Sequence, residues 1–570
     1  MYQHLYNSCD TSDAVQIIKE QLRLLIGQNP SVRDADLITG SVLKEAACRM
    51  KPGKGDVSGS YTSDAILNAP DSFFNMMAPI FRSWLIHGTV TLSLLACAFL
   101  PLFKGGLKDP SKTDSYRAIA GASLLLKLFD NVVLLLWGDR LSSDSLQFGF
   151  KKDTSTTQCS WLVMEVAGYF LRRGSPCIVT LMDCSKAFDM CSFEVLFKKL
   201  MEKGLPPLVV RTLVFIYQEQ TAWVRWGGAR SSQFGIVNGT RQGSVLSPCF
   251  FAVYMDELLQ KLRDLGVGCH IGDIFFGAAG FADDIILISP SRSAMQQMLS
   301  VCEKFAEENN LLFSTDENPE KSKTKCLYMC GQAGAVQYPA PLRLNDRDLP
   351  WVVKGTHLGH ELHQSCNMDF DAKCKRADFI DKSTDIRMMF SFAYPHQVLA
   401  AVSTYAGHFY GSMLWDLSGE AAWQVYRSWN TCVKLTWDIP RWSHNYLVEG
   451  SLSCDIPSIR NKILCQYVNF FKKLQASPLR EVRLLASVVA RDRGSVTGKN
   501  LEHLREEFNL DPWTQHVSQF KAKYTGYTVP EVDKWRPALL KKLLDQRRDM
   551  DACEEDVETI TSLIDSLCSS

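Results

Sequence analysis

The stretch that most constrains the fold is residues 280–289, GFADDIILIS, in which two adjacent aspartates precede a run of branched aliphatic residues. Aliphatic runs of this kind are typical of a buried strand, so Asp283 and Asp284 are expected in the tight turn that leads into it. Two carboxylates this close repel each other, and both stay ionised only where a cation neutralises them. Because hard oxygen ligands suit Mg²⁺, the sequence predicts a magnesium site at this turn.

A third aspartate has a similar setting much earlier in the chain. Asp183 follows the apolar segment 178–182, which is also typical of a strand. Only tertiary folding could bring Asp183 to the acidic turn. Between the two lies residues 238–248, NGTRQGSVLSP, a glycine-containing loop that is expected to run into a helix capped by Ser247 and opened by Pro248.

Three segments together match a known family. They are residues 183–189 (DCSKAFD), 241–243 (RQG) and 281–284 (FADD). A lone FADD is a weak signal, whereas three motifs in the right order, at family-like separations and on the expected elements, are specific. The chain resembles reverse transcriptases, and the nearest match is the non-LTR retrotransposon group. The resemblance extends over roughly residues 95–415.

This resemblance implies an α+β fold of the right-hand polymerase type, with fingers, a palm built on an antiparallel sheet, and a thumb. The family commonly has an endonuclease upstream of its polymerase, and the segment before residue 95 is too short to hold one. The implied divisions are a helical N-terminal extension (1–95), fingers (96–174), the palm with its catalytic motifs (175–349), a primer-grip hairpin and the start of the thumb (350–415), and a helical C-terminal region with an acidic tail (416–570).

The resemblance also implies the catalytic roles. The three aspartates, with the carbonyl of Cys184, are expected to hold two Mg²⁺ ions, for which Mn²⁺ can substitute. Phe188 is expected beneath the sugar of the incoming nucleotide, where its ring would clash with a ribose 2′-hydroxyl and so select deoxynucleotides. Without the motif around it, a core phenylalanine is the better interpretation of Phe188.

Further residues are expected around the nucleotide. Lys104 and Arg117 match positions that hold the triphosphate in the family, and arginine suits phosphate because its planar fork can bind two oxygens at once. Ala118 replaces the proline that the family usually has after this arginine, which loosens the turn. By resemblance, Gln242 and Gly243 contact the incoming nucleotide or the template.

Two other segments match the family less specifically. Residues 318–323, NPEKSK, place Lys323 where it could polarise or protonate the departing pyrophosphate, although a surface lysine is the commoner outcome. Residues 147–150, QFGF, predict a scaffold that contacts the template. The segment after them predicts a helix capped by Thr154 or Ser155 that ends near Arg173.

Residues 355–359, GTHLG, resemble the hairpin that holds the primer end in the family. A helical stretch with several cations follows, which fits a thumb that tracks a phosphate backbone in a salt-sensitive and sequence-independent way. Taken alone, such a charge run is a solvated helix face. The cations are Lys373, Lys375, Arg376, Lys382 and Arg387.

The spacing of the histidines and cysteines does not predict a metal site. One Cys and three His recur every third residue in 357–366, but Gly359 interrupts them and such spacing is common by chance, so no zinc is expected. Nineteen cysteines without a Cys-x-x-Cys pair predict reduced thiols in an intracellular protein of the nucleus or cytoplasm. The residues that recur every third position are His357, His360, His363 and Cys366.

Composition and hydrophobic periodicity add four expectations. Lys+Arg and Asp+Glu both number 62, so binding of nucleic acid requires a local basic surface rather than net charge. No membrane partner is expected, because the most apolar segment, 90–103, is too short to cross a bilayer and fits a buried strand. A helix is expected to end at Gly27, and another over 71–85 is expected to be kinked or split by Pro79.

The function implied is an RNA-directed DNA polymerase that acts on an RNA template, a DNA primer and dNTPs. One alternative is an inactive transposon remnant that serves as an RNA-binding or assembly module. A second is an RNA-templated RNA polymerase, against which Phe188 argues. A third, an unrelated phosphohydrolase that uses the acidic pair, requires the order of the motifs to be a coincidence.

Overall fold

The computed structural model describes residues 12–28, 33–105, 109–240, 243–316, 318, 321–331, 336–444 and 459–508. These residues divide into two compact units. The first unit takes its residues from 1–152, 180–326 and 339–350. The second takes them from 153–179, 327–338 and from 351 onwards.

The first unit begins with a group of helices. The predicted amphipathic helix near the start of the chain is confirmed as α1, with Val15, Ile18 and Leu22 buried, and it ends at Gln28, one residue past the expected Gly27. The helices of this group are α1 (Ser12–Gln28), α2 (Arg33–Asp36), α3 (Gly40–Ala47), α4 (Ser63–Leu67) and α5 (Asp71–His87).

Pro79 does not split α5, which is a single helix with Pro79 inside it, while the alternative expectation of a kink stays a prediction. Phe74, Met77 and Phe81 on one face of this helix are all buried. Burial of each such side chain stabilises by about 1.5–3 kcal/mol, which together exceeds the roughly 3 kcal/mol cost of an interior proline. Packing therefore outweighs the lost backbone hydrogen bond.

A five-stranded sheet follows these helices in the first unit. β1 pairs with β2 in antiparallel fashion and with β4 in parallel fashion, and β5 and β6 both pair with β4. The strand predicted over 90–103 forms only from Ala96 to Phe103, and residues 92–94 form a short 3₁₀ turn instead. The strands are β1 (Ala96–Phe103), β2 (Tyr116–Gly121), β4 (Thr221–Trp226), β5 (Ala229–Arg230) and β6 (Phe234–Gly235).

A four-stranded sheet contains the segments of the acidic motifs, in the strand order β11, β3, β10, β9. β9 and β10 form an antiparallel hairpin whose last pair is Phe281 with Asp284, so only Ala282 and Asp283 connect them. β3 is the neighbour of β10, which brings the end of the 178–182 segment beside the hairpin. The strands are β3 (Cys177–Met182), β9 (Ala278–Phe281), β10 (Asp284–Ser289) and β11 (Lys325–Met329).

Helices and two short hairpins complete the first unit. Pro248 lies in the first turn of α11 as predicted, but Ser247 is the first helical residue and not the cap, because Leu246 already has helical dihedral angles. The helices are α6 (Leu124–Trp137), α8 (Ala187–Met190), α9 (Phe193–Glu202), α10 (Pro207–Gln218), α11 (Ser247–Asp264) and α12 (Arg292–Glu308). The hairpins are β7 (His270–Ile271) with β8 (Ile274–Phe275), and β12 (Arg343–Leu344) with β13 (Arg347–Asp348).

The second unit is helical around one hairpin. Its first helix, α7, is capped as predicted by Ser155, whose hydroxyl accepts the Gln158 N–H at 3.2 Å. The elements are α7 (Thr156–Leu171), the hairpin of β14 (Lys354–His357) and β15 (His360–His363), and the helices α13 (Asp369–Met389), α14 (Pro395–Tyr405), α15 (Glu420–Thr436), α16 (Ile459–Gln475), α17 (Arg480–Arg491) and α18 (Val496–Phe508).

The predicted cationic stretch forms the helix α13, but that helix is not basic. Its 21 residues contain five aspartates beside the five cations, so the charges cancel. The aspartates are Asp369, Asp371, Asp378, Asp381 and Asp385.

The mixture of sheets and helices in the described residues confirms the α+β class. No helix in the ranges given above has the length and apolarity that crossing a membrane requires. The assignment of fingers, palm and thumb to residue ranges stays a prediction.

Candidate active site

The connection between β9 and β10 determines where the two adjacent aspartates lie. Asp284 is the first residue of β10, and Asp283 lies in the two-residue turn before it. Ala282, the other turn residue, has a φ of 59°, a left-handed conformation that residues with a side chain seldom adopt. The sharp turn sets both carboxylates at one end of the four-stranded sheet.

Asp183 lies just past the end of β3, and its backbone is held by the segment before β11. Its carbonyl accepts the Ser314 N–H at 2.7 Å, and its own N–H donates to the hydroxyl of Thr324 at 3.4 Å. The next residue, Cys184, forms an isolated antiparallel bridge with Phe313. The backbone that carries Asp183 is therefore fixed on the side away from β10.

The charge of Asp183 acts on the two aspartates of the turn. The pKa of Asp284 is raised to about 6, first by burial and then by the charges of Asp283 and Asp183. Burial also raises the pKa of Asp283, and the charge of Asp183 adds to this effect, while the Asp283 backbone N–H and Arg117 lower it. Folding thus brings Asp183 within electrostatic reach of the turn, although it is distant in sequence.

Two of the predicted cations reach this group. The Lys323 ammonium lies 3.3 Å from the Asp183 carboxylate, in an ion pair whose members are 66% and 36% exposed. An exposed pair of this kind contributes about 0–1 kcal/mol, so it leaves Lys323 available for other contacts. Arg117, exposed on β2, acts on the pKa of Asp283. Lys104 is exposed just after β1, and its backbone N–H donates to the Ser115 carbonyl at 2.9 Å.

The aspartates match a divalent cation in chemistry but are not gathered around one. In the part of the chain that the structure describes, no group of three or more His, Cys, Asp or Glu side chains could hold a metal ion. The oxygen donors and their mutual repulsion are nevertheless what a hard cation would neutralise. Burial raises the pKa of the Cys184 thiol to about 12, so this thiol stays protonated and Cys184 could offer a metal only its carbonyl.

Phe188 is held in place by other aromatic rings. Its ring stacks on Phe251, with centroids 4.2 Å apart and planes at 17°, and meets Phe150 edge-on at 6.1 Å. The Thr240 N–H donates to the Phe188 carbonyl at 2.7 Å, which ties the loop before α11 to α8. The side chain is half-buried, as a ring beneath a sugar requires, but its role with nucleotides stays a prediction.

The glycine of the middle motif lies against the five-stranded sheet. Gly243 has a φ of 111°, and a Cβ at this position would come within 2.8 Å of the Ala120 carbonyl on β2. Only glycine fits both the conformation and the space. Gln242, predicted beside it, lies outside the described residues.

The predicted primer-grip hairpin, β14–β15, belongs to the second unit and carries neutral histidines. Burial lowers the pKa of His357 to about 3 and that of His360 to about 4. His357 Nδ1 shares a hydrogen bond with the Ser160 hydroxyl at 2.9 Å, and the His360 ring stacks on Tyr410 at 4.7 Å. His363 bonds instead to the hydroxyl of Ser365 at 2.7 Å.

Comparison with known families identifies the domain that contains the acidic site. Residues 107–362 match the family described as reverse transcriptase (RNA-dependent DNA polymerase). The chain contains a reverse transcriptase domain. The resemblance to reverse transcriptases predicted from the three motifs is thereby confirmed, while the right-hand arrangement of the α+β fold stays a prediction.

Similar curated proteins come from mobile elements. The chain is 26% identical over 264 residues to the Pol polyprotein of the type-2 retrotransposable element R2DM of Drosophila melanogaster, covering 45% of this chain and 24% of that protein. It is 24% identical over 306 residues to the RNA-directed DNA polymerase of the mobile element jockey of Drosophila funebris, covering 52% and 33%. The reverse transcriptase domain is thus of the non-LTR retrotransposon type, and the chain spans only a quarter to a third of the length of these relatives.

A solved structure is also similar at a distance. The telomerase of Candida albicans, solved with a fragment of telomeric RNA, aligns over 78% of this chain and 69% of its own, with 11% identity and a TM-score of 0.34. A likeness this remote carries no information about function.

One residue close to the acidic turn has contacts that differ from the role that the sequence predicts for it. The QFGF segment predicts a template scaffold, yet the Gln147 side chain hydrogen-bonds to Ala282 in the turn of the reverse transcriptase domain. The sequence signal was present, because the segment is part of the family pattern. A pattern of this kind does not say which backbone group a buried amide binds.

Proposed function

We propose that this chain is an RNA-directed DNA polymerase of the non-LTR retrotransposon type, which extends a DNA primer along an RNA template with dNTPs. The observation that carries the proposal is the electrostatic coupling of Asp183 with Asp283 and Asp284. The charge of Asp183, which is distant in sequence, raises the pKa of both Asp283 and Asp284 at one end of a sheet. Perturbed carboxylates grouped in this way are typical of catalytic sites.

The proposed chemistry is transfer of a nucleotidyl group to the primer 3′-hydroxyl. Once drawn closer together than they lie in this structure, the three aspartates and the Cys184 carbonyl would hold two Mg²⁺ ions, or Mn²⁺ in their place. When bound, such ions lower the pKa of the primer hydroxyl and neutralise charge on the triphosphate and the leaving pyrophosphate. Most of the acceleration in phosphoryl transfer comes from positioning and charge neutralisation, which suits a site built on a rigid sheet.

The other residues would bind and select the nucleotide. Arg117, whose charge reaches the acidic turn, would bind the triphosphate together with Lys104. Lys323, beside Asp183, would lie near the departing pyrophosphate and could give it a proton. The fixed ring of Phe188 would exclude a ribose 2′-hydroxyl, while Gly243 and Gln242 would allow close approach of the nucleotide or template.

Primer extension on an RNA template tests this proposal directly. The purified chain is incubated with a labelled DNA primer annealed to RNA, with dNTPs or NTPs, and with Mg²⁺, Mn²⁺ or EDTA. We expect extension with dNTPs and a divalent ion, none with EDTA, and little with NTPs. Phe188→Val should raise the use of NTPs relative to dNTPs by about 10- to 100-fold, because discrimination by pocket size is of this order.

Each alternative function has its own outcome in this assay. Binding of primer–template without any extension would support the inactive RNA-binding module and refute the polymerase. Equal extension with NTPs would point to an RNA-templated RNA polymerase. Release of phosphate from nucleotides without primer growth would point to a phosphohydrolase.

A further inference from the structure

The Gln147 side chain binds both peptide groups of Ala282 in the acidic turn. Its carbonyl oxygen accepts the Ala282 N–H at 2.9 Å and the Gly149 N–H at 2.9 Å, and its amide NH₂ donates to the Ala282 carbonyl at 3.4 Å. The side chain is fully buried. The Gln147 amide thus makes the two hydrogen bonds to Ala282 that the backbone of a neighbouring strand would otherwise make.

The backbone around Gln147 extends the same contact. The Phe148 N–H donates to the Gly280 carbonyl at 2.7 Å, and the Gly280 N–H donates to the Leu146 carbonyl at 2.8 Å. These bonds make a short parallel bridge between Gln147 and Gly280 on β9. The Gln147 side chain continues this hydrogen bonding beyond the last residue of β9, to the turn itself.

The fit between the segment and the turn leaves no spare room. A Cβ at Gly149 would lie 2.5 Å from the Ala282 nitrogen, so only glycine lets the two backbones approach this closely. The segment before Gln147 is also anchored to α11, through Asp144. Both oxygens of Asp144 bind the Arg263 guanidinium of α11, at 2.6 and 2.7 Å, and one of them accepts the Leu146 N–H at 2.8 Å.

The turn needs such support for two reasons. Ala282 has a left-handed conformation, which is strained for a residue with a side chain. The carboxylates on either side of the Asp283–Asp284 peptide repel each other, and rearrangement of the turn would relieve that repulsion. An external hydrogen-bonding partner opposes both tendencies.

We propose that Gln147 is a positioning residue for nucleotidyl transfer, which holds the Ala282 peptide so that Asp283 and Asp284 stay at the end of the sheet where divalent ions would bind. It acts through the turn and not on the substrate. The proposal rests on the proposed polymerase function for its catalytic consequence, but its structural part can be measured without catalysis.

The test compares two substitutions of buried glutamines. Gln147→Met fills a similar volume but cannot hydrogen-bond to Ala282. Gln220→Met is the matched control, because Gln220 is another fully buried glutamine of the first unit and its amide has no hydrogen-bond partner within the described residues. The readouts are hydrogen exchange of a peptide that spans residues 281–284, Mn²⁺ affinity by electron paramagnetic resonance, and kcat and KM for dNTP in primer extension.

For Gln147→Met we expect faster exchange at the turn, weaker Mn²⁺ binding and a kcat lower by about 10-fold or more, since small misplacements of catalytic groups have effects of this order. The affinity for primer–template should not change. Gln220→Met should behave as the unsubstituted protein does. Unchanged exchange and Mn²⁺ affinity in folded Gln147→Met would overturn the proposal, as would equal losses in Gln220→Met. Absence of extension by the unsubstituted protein would refute the polymerase function alone, because exchange and Mn²⁺ binding would still decide the role of Gln147.

Discussion

Two hairpins of this molecule have similar backbones but hold titratable groups of opposite charge, aspartates in β9–β10 and histidines in β14–β15. β9–β10 and β14–β15 are both antiparallel and both connected by two residues that include a left-handed one, Ala282 in the first and Leu358 with Gly359 in the second. Each holds titratable groups that burial pushes toward the neutral form. The groups differ in sign, and so does the result at neutral pH.

In the β14–β15 hairpin, burial shifts the two buried histidines fully to their neutral form at pH 7. The pKa of His357 is about 3 and that of His360 about 4, so both rings are uncharged at pH 7 and need no counter-ion. In the β9–β10 hairpin, burial and repulsion raise the pKa of Asp284 only to about 6, so this carboxylate remains mostly ionised at pH 7. The two buried histidines of β14–β15 are thus uncharged at neutral pH, whereas the β9–β10 hairpin retains unfavourable charge that a cation would relieve.

The largest expected effect tests whether that retained charge serves catalysis. Asp283→Asn should lower primer extension by about 100-fold or more, the order found when one group that stabilises a transition state is removed. Binding of primer–template should survive. The measurement is single-turnover extension together with a binding isotherm.

The matched control is Asp346→Asn, which makes the same change in the turn between β12 and β13, where the Asp346 side chain is fully exposed. It should leave extension unchanged. Full activity of Asp283→Asn would remove the catalytic side of the contrast between the two hairpins.

The next effect concerns the β14–β15 hairpin, where the contribution of His360 to the stability of the fold depends on pH. The pKa of His360 is lower in the folded protein than the usual 6.5, so the unfolded chain binds the proton more tightly and stability is lost as pH falls from about 6.5 toward 4. At pH 5 this loss is about 2 kcal/mol. His360→Phe keeps a ring against Tyr410, and removes two nitrogens that have no partner among the described residues.

We therefore expect His360→Phe to be more stable than the unsubstituted protein at pH 5, with a smaller difference at pH 7.5. Urea unfolding at both pH values measures this. An equal shift at the two pH values would mean that protonation of His360 does not contribute to acid sensitivity.

The smallest effect concerns the stability of the acidic hairpin. The pKa of Asp284 is raised above its usual 3.8, so the folded protein binds this proton more tightly and loses stability as pH rises through about 4 to 6. Asp284→Asn removes the charge. In metal-free buffer at pH 7 it should stabilise the fold by about 1 kcal/mol, a value reduced from the full linkage because the side chain is partly exposed to solvent.

The gain from Asp284→Asn should shrink as pH falls below 6 and vanish by about pH 3, where Asp284 is protonated in both the folded and the unfolded state. Thermal unfolding across this pH range, in buffer with EDTA, gives the comparison. Lower stability of the variant at pH 7 without metal would show that the carboxylate is already neutralised within the protein.

Local pattern was enough to predict the elements that carry the site. The aliphatic runs after Asp284 and before Asp183 specify strands, and the acidic turn between two strands follows from the same sequence. The cap at Ser155 was also predictable, because its partner is three residues away. Each of these features is determined by residues close together in the chain.

Features that depend on contacts between residues distant in the sequence do not follow from local pattern. The Gln147 side chain bonds to residues more than a hundred positions away, and no local rule says which backbone group a buried amide will bind. Pro79 is tolerated inside α5 because Phe74 and Phe81 pack against other elements. In α13 the five cations predict a basic helix, but five aspartates in the same stretch cancel their charge, a balance that follows from composition alone.

That balance on α13 has a kinetic consequence. A helix with equal numbers of positive and negative side chains produces almost no field beyond a Debye length, which is about 8 Å at physiological ionic strength. It cannot draw a polyanion toward itself from solution, and electrostatic steering accelerates association only where charge is unbalanced. Any contact that α13 makes with a nucleic acid must therefore form after arrival, and its rate of encounter should vary little with salt.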